Sequence, residues 1–420
     1  MAARAAVGVA AVVLIGCAVR RVTDPEEEVA AVLSLLRGGE LAAAAERVAS
    51  ARQRQPEHGG VAICAATVAD LRWRDDVAVA ELRVAAASAD RGGWSPAEAR
   101  GRLGDQLFLA GRYGEAIVPL LAGAVDDAAP RRRAWIAAAR ELPYRRKPVG
   151  VVATEQPLLE GRLPEFLCGL GAARRVFTID TGSSMTTISR TLAKAANVRA
   201  QNDAGEMPDG TGQPIAVQMA VLDAFSIGDV WLGTVPVLVV DDERLSMRDL
   251  FGGPERAPEG VLGLDLMSLF RMTLDPVRRN VVLEHPRGLP ETDSVQCVRA
   301  DGRCLLPVAI EGCSLWFVLD TGASHSSLTQ EGLLALPGGS ARAVPGFRRV
   351  RTAGGGTFSV REIKNLVLRT SKVRFPGVDL PIVPRRGGGL FPVHGVLGVD
   401  LLEQCRVTLD QGRARLEHAS

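Results

Sequence analysis

The hydrophobic pattern changes texture twice along the chain. Residues 5–19 form one apolar run, with Arg4 before it and Arg20 and Arg21 after it. From about 23 to 145 the chain is rich in Ala, Leu, Arg and Glu and has almost no strand-like runs, which predicts helices. Thr23-Asp24-Pro25-Glu26 reads as a helix start, with a capping residue, a proline in the first turn and an acid near the dipole. Ser95-Pro96-Ala97-Glu98 reads as a capping box, and Gly38-Gly39 and Gly92-Gly93 as breaks between helices. From about 148 onward the apolar runs become short and β-branched, separated by Gly, Pro and Asp turns, which predicts strands.

Composition narrows the classes. A chain of 420 residues with 47% hydrophobic and 23% charged residues has enough apolar content for two or three globular domains. Fifty basic residues against 48 acidic ones leave a net charge of +2, so no global field points to a nucleic-acid partner. Seven cysteines are too few for a disulfide scaffold. The run at 5–19 falls short of the roughly 20 residues a spanning helix needs, which excludes a multi-pass membrane protein. Cys-x-x-Cys, His-Glu-x-x-His, Walker and Gly-x-Ser-x-Gly motifs are missing, so no metal or cofactor is expected.

The first 21 residues read as an address. A positive start, a short apolar run and Leu14-Ile15-Gly16-Cys17 resemble a bacterial lipoprotein signal, in which Cys17 would be lipidated. This implies export to the cell envelope, membrane contact through the N-terminus only and a compartment in which the other six cysteines could pair. The alternative is a chance cysteine in an ordinary signal or short anchor. Residues 22–147 form the helical region. Ala44, Ala80 and Ala116 stand 36 apart, and Gly111-Arg112-Tyr113-Gly114-Glu115-Ala116 sits in a helix-turn-helix pattern. This resembles degenerate tetratricopeptide repeats and implies a scaffold with a possible protein partner. A generic helical bundle is the alternative.

The remaining sequence repeats once. Val176-Phe177-Thr178-Ile179-Asp180-Thr181-Gly182-Ser183-Ser184 returns as Trp316-Phe317-Val318-Leu319-Asp320-Thr321-Gly322-Ala323-Ser324, an offset of 140. Gly260-Val261-Leu262-Gly263-Leu264-Asp265-Leu266 returns as Gly395-Val396-Leu397-Gly398-Val399-Asp400-Leu401. Arg271-Met272-Thr273-Leu274-Asp275 returns as Arg406-Val407-Thr408-Leu409-Asp410. Each unit resembles a lobe of an aspartic peptidase of the retroviral type. The resemblance implies two tandem closed β lobes, at 148–292 and 293–420, behind the helical region, with one catalytic Asp per lobe on a pseudo-twofold axis.

The chemistry explains the duplication. Two carboxylates about 3 Å apart cannot both ionise, so they share a proton. One then serves as general base toward water and the other as general acid toward the scissile carbonyl of a peptide or protein substrate. Asp180 and Asp320 are the expected pair. By resemblance, Thr181 and Thr321 hydrogen-bond across the axis, while Gly182 and Gly322 allow the tight turn and present N–H groups to the carboxylates. Ser183 is expected to donate to Asp180, whereas Ala323 cannot do the same for Asp320. That loss predicts a raised dyad pKa and a less acidic optimum. Ser184 and Ser324 read as loop braces, Asp265 and Asp400 as helix caps, and Leu262 and Leu397 as core.

Flap candidates are Gly210 and Gly212 in lobe one and Gly354 and Gly356 in lobe two, with ordinary turns as the alternative. The two tyrosines, Tyr113 and Tyr144, precede both lobes, so a pepsin-type flap tyrosine is excluded. His325 and His394 read as packing residues, and Arg145-Arg146-Lys147 as an exposed linker that could be a processing site. A non-catalytic peptide-binding scaffold on the same fold is the rival function. A helical pro-segment removed near Arg145 is a third reading.

Overall fold

The computed structural model describes residues 24–88, 95–123, 129–146, 153–208, 214–245, 258–351, 357–383 and 389–419. The proposed signal with Cys17, the glycines at 92–93 and the four flap glycines lie outside them.

Seven helices come first among the described residues: α1 (Pro25–Arg37), α2 (Leu41–Arg54), α3 (Gly59–Leu71), α4 (Asp75–Ala87), α5 (Pro96–Leu109), α6 (Tyr113–Gly123) and α7 (Ala129–Glu141). Their starts follow local chemistry. The Asp24 carboxylate accepts the Glu26 N–H before Pro25, and the Ser95 hydroxyl accepts the Glu98 N–H before Pro96. Gly39, at φ 76°, turns the chain between α1 and α2. The 36-residue alanine period does not carry through. Ala44 and Ala116 are fully buried, but Ala80 is exposed and Ala78 takes the buried place in α4. Among the described residues no helix is long and apolar enough to cross a membrane.

Two closed six-stranded β barrels follow. In lobe one, Glu165–Leu170 pairs with Ala173–Ile179, then come Gly260–Leu262, Thr187–Ser189, Val230–Val240 and Pro214–Ile227. The last strand pairs back onto the first and closes the ring. In lobe two the same order runs Arg303–Ile310, Cys313–Leu319, Gly395–Leu397, Ser327–Thr329, Val373–Val383 and Thr357–Thr370, closed in the same way. Closure leaves no free edge within either ring, and the inward apolar positions fill it. Phe166, Phe177, Ile188 and Phe225 fill lobe one, and Phe317, Leu328, Ile363 and Phe375 fill lobe two.

A further six-stranded sheet joins the lobes. Its order is Ala153–Pro157, Asn280–Glu284, Arg271–Asp275, Cys405–Asp410, Arg413–His418 and Val295–Gln296. At its centre Thr273 pairs with Thr408, 135 residues on, and their hydroxyls lie 3.2 Å apart. The pseudo-twofold axis passes through this pair. Asp275 closes its strand by accepting the N–H groups of Val277 and Arg278 and reaches across the axis to Arg406.

The helices are not a detached module. Their apolar core runs into lobe one through Met185, Val217, Met219 and Val221, and into lobe two through Val298, Leu305 and Phe391. Arg299 of lobe two pairs with Asp70 and Asp75 and stacks 5.0 Å over the Trp73 ring. At the expected exposed linker, Arg145 is exposed and Arg146 half-buried. Arg145 pairs with Glu115, and the Arg146 N–H donates to the Gly111 carbonyl at 2.8 Å. Lys147 lies outside the described residues.

Candidate active site

The two repeated loops meet at the axis. Each follows a barrel strand, and its first amide is tied to the neighbouring strand. The Asp180 N–H donates to the Leu262 carbonyl at 3.1 Å, and the Asp320 N–H to that of Leu397 at 3.0 Å. Leu262 and Leu397 are fully buried beneath the loops, as expected. The next residue locks the lobes together. The Thr181 N–H donates to the Thr321 hydroxyl and the Thr321 N–H to that of Thr181, both at 3.1 Å. Each hydroxyl then donates onward to a carbonyl of the opposite strand, Thr181 to Leu319 at 2.6 Å and Thr321 to Ile179 at 2.7 Å. Both threonines are wholly buried, so four bonds with no competing water hold the loops in register.

The glycines do what the tight loop requires. A Cβ on Gly182 would stand 2.6 Å from the Asp320 carboxyl carbon, and one on Gly322 would stand 2.4 Å from that of Asp180. No side chain fits where each loop passes the other's carboxylate. The Gly182 N–H donates to Asp180 Oδ1 at 2.8 Å, and the Gly322 and Ala323 N–H groups donate to Asp320 Oδ1 at 3.0 and 2.8 Å. The carboxyl groups hydrogen-bond to each other and are half-buried.

Burial raises both carboxyls, and the charge of Asp320 pushes Asp180 well above the usual range. Asp320 is raised less firmly. The Asp180 hydrogen bond, the Ala323 amide, the Arg303 charge and the Gly322 amide all favour its ionised form. The pair therefore holds one shared proton, and the groups around Asp320 favour its ionised form.

Two expectations are corrected. The Ser183 hydroxyl does not serve Asp180. It turns to the Met185 carbonyl at 2.9 Å, a local turn bond that competes successfully for the donor. The difference between Ser183 and Ala323 is therefore not what raises the dyad, since both carboxyls rest on backbone amides. Asp265 and Asp400 do not cap their helices either. Gly263 and Gly398 occupy the capping positions, and the carboxylates reach back to the catalytic loops. Asp265 accepts the N–H and hydroxyl of Thr186, both at 2.8 Å. Asp400 accepts those of Ser326 at 2.8 and 2.7 Å. The same hydroxyls accept the Gly263 and Gly398 amides. Thr186 and Ser326 were not singled out in the sequence. Their signal is a hydroxyl residue six places after each dyad Asp, recurring with the later Asp.

The family comparison agrees with this geometry. The aspartyl protease family model matches twice, over residues 169–266 and 306–401. The two matched segments fall one in each lobe. Among solved structures, the chain is similar to a retropepsin-like aspartic protease from Rickettsia conorii at 15% identity. That match covers 34% of this chain and 97% of the other, with a TM-score of 0.23. A comparison with curated proteins found no match.

The remaining candidates sit at the margin of these lobes. The strands flanking the lobe-one flap glycines pair antiparallel, Pro208 with Pro214, and those flanking the lobe-two glycines pair Arg351 with Thr357. His394 accepts the Trp316 N–H at 2.9 Å, and half-buried His325 lies 3.1 Å from the hydroxyl of exposed Ser324. Tyr113 is buried in the helical core and Tyr144 is exposed beyond α7.

Proposed function

We propose that this protein is an aspartic endopeptidase acting through Asp180 and Asp320. The observation that carries the reading is the pair itself. Two half-buried carboxyls from two lobes share a hydrogen bond on a symmetry axis, locked from below by paired threonines. A water held between them gives a proton to Asp320 as its oxygen attacks the scissile carbonyl carbon. Asp180 gives its proton to the carbonyl oxygen, which yields a neutral tetrahedral diol. Asp320 then protonates the amide nitrogen, the C–N bond breaks, and Asp180 recovers its proton from the collapsing diol. No covalent intermediate on the enzyme is required.

Export and tethering belong to the same proposal. Arg4, the apolar run and Cys17 support a lipid-anchored envelope protein. Transfer of a labelled fatty acid to the parent but not to Cys17→Ala tests this. The shared cores between helices and lobes favour a permanent support over a removed pro-segment. The helical surface is then the place for a protein partner.

Incubation of the chain from Val22 with a peptide pool in ¹⁸O-water, from pH 3 to 8, tests the reaction. New C-termini should each carry one labelled oxygen. Peptides bound but never cut would favour the scaffold reading.

A further inference from the structure

The two sides of the dyad differ in charge. In lobe one Glu165 pairs with Thr178, and in lobe two Leu305 pairs with Val318. These registers keep the 140-residue offset of the carboxylates, so position 163 of lobe one corresponds to 303 of lobe two. Leu163 stands at the first and Arg303 at the second, and both are half-buried. Leu163 is held near the dyad because the carbonyl of its neighbour Pro164 accepts the Ile179 N–H at 3.0 Å, one residue before Asp180.

Arg303 is placed by the turn that precedes it. A Cβ on Gly302 would lie 2.5 Å from that of Ser184, four residues past Asp180. The turn of lobe two therefore presses on the catalytic loop of lobe one. Arg303 follows directly and lies close enough to Asp320 for its charge to act there. Among the described residues it forms no ion pair. A half-buried guanidinium that acts on Asp320 but is held in no ion pair can receive a second carboxylate.

We propose that Arg303 is a specificity-determining residue that selects peptides bearing an Asp or Glu side chain on its side of the scissile bond, while Leu163 favours an apolar one opposite. The inference rests on the peptidase reading of the same site and names its substrate class.

The test is equilibrium binding of decapeptide pools to the chain from Val22, with Asp180→Asn preventing turnover. Each pool fixes Glu or Gln at one position and is random elsewhere. At one position Glu should be preferred about fivefold, as expected for a partly screened ion pair. Arg303→Leu should abolish the preference and Arg303→Lys should retain most of it. Should Arg303→Leu not fold, Leu163→Arg supplies the reciprocal test by creating a second acidic preference. Equal affinity for Glu and Gln at every position, or no binding of any pool, overturns the proposal. A Glu preference lost in Arg303→Leu, in a parent that never cuts, would sink the peptidase reading and leave this one standing.

Discussion

Burial of two facing carboxyls controls both the chemistry of this cleft and part of its stability. Asp180 holds its proton more tightly in the folded chain than in the unfolded one. Above about pH 4, where a free carboxyl ionises, the native state binds the extra proton, so stability falls as pH rises. Asp180→Asn removes that penalty. Its melting temperature should exceed the parent's by a margin that grows from pH 3 to pH 7, and a constant margin would contradict the assignment. The threonine lock works the other way. Thr181→Val strips the acceptor from the Thr321 N–H and the donor from the Leu319 carbonyl, both buried. A loss of about 1–3 kcal/mol in denaturant unfolding is expected.

At the scale of elements, the short helix after each Leu-Gly strand is a brace for the catalytic loop. Asp265→Ala leaves the buried Thr186 N–H and hydroxyl without their acceptor. Unfolding free energy should drop by about 1–3 kcal/mol, with turnover falling as the loop loosens. This brace marks the limit of what the sequence discloses. The loops, the buried leucines and the threonine lock were legible because they lie inside blocks that recur as units. The local helix-capping rule misplaces Asp265, and the family resemblance misplaces Ser183, whose bond is to Met185 two residues on. Asp265 bonds a residue 79 positions away, and no helix-capping pattern carries that distance. Ser183 had two acceptors in reach, and its rotamer alone decides between them. The sheet joining the lobes was equally hidden, since its central pairing brings together strands 135 residues apart.

The whole molecule is a body of two β lobes with helices packed along both of them. That packing was not legible in the sequence, where the helical region read as a separate module. Arg299 is the polar anchor on lobe two, pairing with Asp70 and Asp75 and covering Trp73. Arg299→Ala leaves two carboxylates facing each other without their cation. Hydrogen exchange should quicken across 59–87, with stability lower by about 1–3 kcal/mol. Unchanged exchange there would mean that apolar contacts alone hold the helices.

The claim that organises this account is that one carboxyl from each lobe performs one reaction. The most direct measurement compares peptide-pool hydrolysis by the parent, Asp180→Asn and Asp320→Asn at matched folded concentration across pH 3 to 8. The account predicts that either substitution alone lowers the rate by at least about three orders of magnitude, because neither carboxyl can act as both acid and base. Hydrolysis that survives either substitution with its rate and pH profile intact would contradict it.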